Sequence, residues 1–168
     1  MNEGPSEQTP ALTEGLLSAT RKAHASLDGA PFFEALKSGQ LPLESYVGEL
    51  RALSVVHGVL EDSLSVCWDE RVRSVWSDDM RKAPLLQQDL RHFEPRRVAD
   101  LRNAGLAALA MDSDIRLRSM ERPITLLGHL YVLEGSTLGA QVLRPLVARN
   151  FSLSEQGLSY LSPYGSQV

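Results

Sequence analysis

The sequence predicts an all-α fold of one domain, on three observations. Apolar residues recur at helical spacing along most of the chain. No run alternates with period two for long enough to make a strand. At 168 residues the chain favours one domain over two, and a chain of that size can bury about 70% of its unfolded surface.

The elements follow in order. Residues 1–10, MNEGPSEQTP, are polar, lack the apolar core of a signal peptide and read as a disordered lead-in, which leaves 11–168 as the domain. Leu12, Leu16, Ala19, Ala23 and Leu27 place a first helix over 11–28. Pro31 suits the first turn of a short helix, PFFEALKSG, and Gly39 suits its C-terminal cap. From Pro42 a long helix keeps Leu43, Tyr46, Val47, Leu50, Leu53, His57, Leu60 and Leu64 on one face. DERVRSVW and APLLQQDLRHF read as two short helices joined by SDDMRK. Pro95 interrupts, and RRVADLRNAGLAALAM resumes the helical pattern. Pro123 can open the last long helix, ITLLGHLYVLEGSTLGAQVL, which Pro145 should kink or finish.

Composition removes several classes of function. Hydrophobic residues are 43%, charged residues 23% and the net charge −4, which describes an ordinary globular protein and not a general nucleic-acid binder. The arginines of RHFEPRRVADLR read as a solvated helix boundary. The one cysteine, Cys67, forms neither an intramolecular disulfide nor a zinc site alone, and reads as a small, mostly buried apolar residue in a cytoplasmic protein. A membrane span is disfavoured by His129, Glu134 and Gln141 inside the last long helix. No Glu-x-x-His pair supports a di-metal bundle, and no G-x-S-x-G elbow supports a serine hydrolase.

Two features carry chemistry. The stretch LEGSTLGA holds Gly135 and Gly139, and Gly128 lies seven residues before Gly135. Each interior helical glycine gives up about 1 kcal/mol relative to alanine. Gly135 and Gly139 share one face about 6 Å apart, Gly128 falls on that face, and Ala140 adds a small neighbour. Such a bare strip serves either tight helix–helix packing or close approach of a flat ligand. The second feature is His24, on the apolar stripe of Leu16, Leu17, Thr20 and Leu27. Asp28, four residues on, can orient its ring and leave the other nitrogen for a metal. Arg21 and Lys22 are near enough to meet ligand carboxylates. A histidine helix with basic neighbours and a glycine-stripped helix would together sandwich haem. Of the other histidines, His57, with Glu61 a turn later, reads as core. His92 reads as exposed, and His129 as structural without a carboxylate partner at ligand spacing.

On these residues the sequence resembles the bacterial, biliverdin-producing haem oxygenases. LLSATRKAHASLDGAPFFEALKSGQLPLESYVGELRAL looks like the family's proximal helix and its next two helices, with the axial histidine at His24. LLGHLYVLEGSTLGAQVL is similar to the distal pattern Y-V-x-E-G-S-x-L-G, which begins at Tyr131 and puts the kinked-helix glycines at Gly135 and Gly139. APLLQQDL is a weaker third match. The resemblance implies an all-α, single-domain haem oxygenase-like bundle with a kinked distal helix. It implies haem b as both cofactor and substrate, with iron bound by His24. Thr20, Arg21, Asp28, Tyr131, Gly135 and Gly139 are then expected in the haem site, with Gly135, Ser136 and Gly139 on the catalytic side.

The implied reaction consumes dioxygen and external electrons, from a ferredoxin or a flavin reductase, and yields biliverdin, carbon monoxide and ferrous iron. A bacteriophytochrome is the implied recipient of the biliverdin. A non-catalytic haem- or bilin-binding module of the same fold is the alternative, and a thiaminase-like use of the fold a third. Two departures stand out. Ser136 falls where many family members carry a distal aspartate, and Ala140 replaces a glycine. The chain closes on LSYLSPYGSQV with no terminal helix, so the domain is expected to lack its C-terminal helix and the propionate-binding basic residues there.

Overall fold

A computed structural model describes residues 12–94 and 102–165. Its α-helices are α1 (Leu12–Asp28), α2 (Pro31–Lys37), α3 (Leu43–Ser65), α4 (Glu70–Arg73), α5 (Ala83–Phe93), α6 (Arg102–Glu121) and α7 (Leu126–Phe151). Single 3-10 turns occupy Asp78–Met80 and Pro123–Thr125. There is no strand among the described residues. The expected lead-in over 1–10 and the break at Pro95 lie outside them.

Local chemistry sets the element ends. Pro31 opens α2, where its missing N–H is no loss. Gly39 has φ +74°; its N–H donates to the Leu36 carbonyl at 3.1 Å and that of Gln40 to the Ala35 carbonyl at 2.8 Å. Those two bonds form a Schellman cap, which needs a residue at ease in the left-handed region. Pro42 then sits ahead of α3 in extended backbone. Pro145 does not finish α7, which runs on to Phe151. A proline removes one N–H from the ladder, and here packing on both sides of it, by Ala140 and Val147, holds the helix through the gap.

α3 is the axis of the bundle, with α5, α6 and α7 packed against it. Its predicted apolar face holds: Tyr46, Val47, Leu50, His57, Leu60 and Leu64 are buried. The first half of α3 joins Leu36, Leu86, Phe93 and Val147 in one core cluster. The second half joins Val72, Ile115, Leu126 and Leu130 in another. Burying each such aliphatic side chain stabilises the fold by about 1.5–3 kcal/mol.

The first helix keeps much of its apolar stripe uncovered among the described residues: Ala19 and Ala23 are exposed and Leu27 is 54% exposed. α1 packs on α2, and that short helix is too small to cover a 17-residue neighbour. An amphipathic helix left with an open apolar stripe lacks the surface that its sequence is built for.

After α7 the chain turns at Ser152, φ 53°, and folds back over the bundle as 153–165 without a further helix among the described residues. Asp89, fully buried in α5, accepts the backbone N–H of Ser159 at 2.9 Å and of Tyr160 at 2.8 Å. Tyr46 donates its hydroxyl hydrogen to the Gly157 carbonyl at 2.8 Å. These bonds bring Tyr160 and Tyr164 into the core region from far along the chain.

Candidate functional site

The glycine strip of α7 faces open space. A Cβ added at Gly128, Gly135 or Gly139 would meet nothing within 4 Å among the described residues. Tight helix–helix packing, one of the two readings of this strip, therefore finds no partner helix there. Ala140 is not part of the open face; it is buried and points into the core. Ser136 donates its hydroxyl hydrogen to the Leu133 carbonyl at 2.6 Å, and Thr137 does so to Glu134 at 2.7 Å. Bonding back to the helix occupies both hydroxyl hydrogens and leaves oxygen lone pairs available.

Behind the strip lies an apolar cavity of about 160 Å³. Phe32 and Phe33 of α2, Tyr46, Leu50 and Leu53 of α3, and Ser136, Thr137 and Leu143 of α7 line it, and Tyr160 closes it from the returning C-terminal segment. Gly128 instead borders a groove between α3, α6 and α7 that also holds Asp114 and His129.

Two buried polar groups brace this arrangement. In the first, Glu61 Oε1 accepts the backbone N–H of Lys82 at 2.7 Å and of Ala83 at 3.0 Å, and meets His57 Nδ1 at 3.2 Å. Burial would raise the Glu61 carboxyl, but the hydrogen bonds from His57 and from these backbone groups outweigh it and hold it below the usual range. His57 Nε2 meets Tyr160 Oη at 3.1 Å, and burial pushes the Tyr160 phenol up to about 12. In the second, Lys82, 1% exposed, places Nζ 2.8 Å from Glu134 Oε1 and 2.6 Å from Tyr164 Oη. Tyr164 in turn donates to Glu134 Oε2 at 2.6 Å.

The residues proposed for the proximal side are placed differently. His24, Arg21 and Lys22 are exposed on α1, and Thr20 is half-buried with its hydroxyl donating to Leu16 at 2.9 Å. None of them lines the cavity behind α7. The side chain of Asp28 lies outside the described residues. Tyr131 is 41% exposed on α7 and also stays out of that cavity. The structure thus joins Ser136 to the cavity wall beside Gly135 and Gly139, and leaves the His24 face open.

Three smaller expectations change. His129 does have a carboxylate: Asp114 Oδ2 of α6 lies 3.4 Å from Nε2, a partner that α7's own spacing does not reveal. His92 is half-buried, packed edge-on to Phe93 with its Nε2 enclosed. Cys67 is half-buried at the edge of the second core cluster. Sequence reasoning missed Lys82, Asp89, Tyr160 and Tyr164; the only hint was the paired aromatics of SYLSPYG in a polar tail.

The family model described as Heme oxygenase matches residues 10–166. The chain belongs to the haem oxygenase family. Among solved structures it is similar to the haem oxygenase of Leptospira interrogans, at 24% identity and a TM-score of 0.78, over 94% of this chain and 78% of that one. It is similar also to haem oxygenase-1 of the cyanobacterium Synechocystis in complex with haem, at 19% identity and a TM-score of 0.78, over 90% of this chain and 70% of that one. At these identities the likeness shows the all-α haem oxygenase fold. A search of curated proteins gives no match. No helix of the described residues is long and apolar enough to cross a membrane.

Proposed function

We propose that this member of the haem oxygenase family binds haem b between α1 and α7 and cleaves it to biliverdin, carbon monoxide and ferrous iron. The observation that carries the reading is the uncovered glycine strip. α7 gives up helix propensity at Gly128, Gly135 and Gly139, and no described residue fills the space gained. The open stripe of α1 is a second surface that the described residues leave uncovered. A flat, largely apolar group suits both, so the residues present fit haem.

Haem, when bound, supplies the iron that activates dioxygen against its own ring. His24 offers a neutral imidazole nitrogen to that iron, with Asp28 to orient the ring. Arg21 offers a guanidinium to the propionates, and Thr20 and Tyr131 flank the two walls. Gly135 and Gly139 let the α7 backbone approach and exclude bulk from the reacting side. The hydroxyl oxygens of Ser136 and Thr137 hold proton-carrying water there. Dioxygen, an electron donor such as a ferredoxin or a flavin reductase, and a bacteriophytochrome recipient complete a cytoplasmic reaction.

Ser136 favours one second reading, a haem- or bilin-binding module without turnover. A hydroxyl bonded back to Leu133 is a poorer proton source than a carboxylic acid.

The test is a hemin titration followed by visible spectra, then ascorbate and dioxygen. The enzyme reading expects a Soret band that His24→Ala abolishes, and conversion to a bilin band. Stable haem without conversion would leave the binding module. No Soret shift would overturn both readings.

A further inference from the structure

The cavity that Ser136 lines is bordered by a buried chain of polar groups that the packing of α3 alone does not require. Tyr160 and Ser136 line the same cavity. From Tyr160 the chain passes to His57 at 3.1 Å and on to Glu61 at 3.2 Å. All three of these side chains are at least nine-tenths buried.

Donor counting fixes the directions. Glu61 already accepts two backbone N–H groups on Oε1 and is held ionised, so it has no proton to give. His57 Nδ1 must therefore carry a hydrogen and donate it. In the neutral ring Nε2 is then an acceptor, and Tyr160 donates its one hydroxyl hydrogen inward to it. The cavity side of Tyr160 presents only lone pairs. When the ring gains a second proton, Nε2 becomes a donor to Tyr160 Oη. The phenol hydrogen is then released to point at Ser136 and the open side of α7. The charged groups around the pair are Glu49 and Glu61 of α3, Glu134 of α7, Asp89 on the Tyr160 backbone, and Arg81 with Lys82 ahead of α5.

We infer that His57 is a positioning residue of the α7 site: through Tyr160 it decides whether the wall at Ser136 presents a hydrogen-bond donor or an acceptor. This rests on the proposed function, because oxygen cleavage of haem consumes protons on that side and Ser136 brings no acid of its own. A chain with a serine in place of a carboxylate at position 136 obtains its directed donor from α3 and the C-terminal segment instead.

The first measurement needs no haem. In protein labelled with 15N at histidine, His57 is expected as the Nδ1–H tautomer at neutral pH, and Tyr160→Phe is expected to move its Nε2 resonance. An Nε2–H tautomer, or no response to Tyr160→Phe, overturns the inference. The second uses the haem-loaded protein with ascorbate and dioxygen. Tyr160→Phe and His57→Gln are each expected to bind hemin as wild type does and to slow turnover at least about tenfold. Both should also lose the same limb of the pH–rate profile. If wild type turns over and Tyr160→Phe keeps the wild-type profile, the inference fails while the enzyme reading stands. Should wild type bind no hemin, the proposed function fails instead and the tautomer result still decides the geometry.

Discussion

The Lys82 ammonium lies 2.8 Å from the Glu134 carboxylate, and Glu134 is the residue immediately before Gly135. Its three donors go to Glu134, to Tyr164 and to the Met80 carbonyl at 2.7 Å, so none is left unmatched. A satisfied cation, 1% exposed, thereby ties the start of the bare strip to the turn before α5 and to the C-terminal segment. Lys82→Met should remove the countercharge of Glu134 and cost about 3 kcal/mol. Urea denaturation would show it as a lower midpoint, and adding Glu134→Leu should recover part of the loss because the orphaned carboxylate goes too.

Acid should weaken the fold through Glu61. Its folded carboxyl binds a proton less tightly than in the unfolded chain, where the ordinary value is 4.5. The stabilisation is therefore complete above that value and is lost as pH falls through the lower folded one. Thermal melts of wild type should decline below about pH 4.5. Those of Glu61→Gln, which keeps an acceptor for the Lys82 and Ala83 amides, should start lower and decline less over the same range.

Asp89 should control the C-terminal segment more than the core. Asp89→Ala removes the acceptor of two backbone N–H groups, each worth about 1–3 kcal/mol when left buried and unpaired. Hydrogen exchange is expected to speed up at Ser159 and Tyr160, with α3 and α6 retaining protection. Uniform acceleration across the bundle would show instead that the segment and the core unfold together.

How far the sequence already disclosed this arrangement depends on whether the signal was local. Pro31, Gly39 and Pro42 act on their own neighbours, so the ends of α2 and the start of α3 could be read directly. The strip of Gly128, Gly135 and Gly139 was legible as a face because helical spacing alone defines it. Pro145 does not finish α7 because a missing N–H is a local penalty, while the packing of Ala140 and Val147 that overrides it is tertiary. The pairing of His57 with Tyr160 spans 103 residues, and no short-range pattern announces such a contact. Lys82 looked like a linker residue, since nothing in SDDMRK reports that Glu134 and Tyr164 will surround it. The exposed stripe of α1 shows the limit of such patterns: amphipathicity says that a face needs cover, not that the cover is protein.

That last point separates two glycines with similar sequence cues. Gly39 sits at φ +74°, so Gly39→Ala should destabilise the protein by about 1 kcal/mol. Gly135 is helical with no described atom near its added Cβ, so Gly135→Ala should stabilise the haem-free protein by up to about 1 kcal/mol. Chemical denaturation of the two variants beside wild type checks both signs.

The central claim is that the strip is kept bare for haem, and a hemin titration of Gly139→Leu tests it most directly. The variant should stay helical by circular dichroism, because open space surrounds the new side chain. Its Soret band should be lost or shifted away from that of the wild-type complex as the leucine fills the slot. A Gly139→Leu protein that binds hemin with the wild-type spectrum and affinity would contradict the claim.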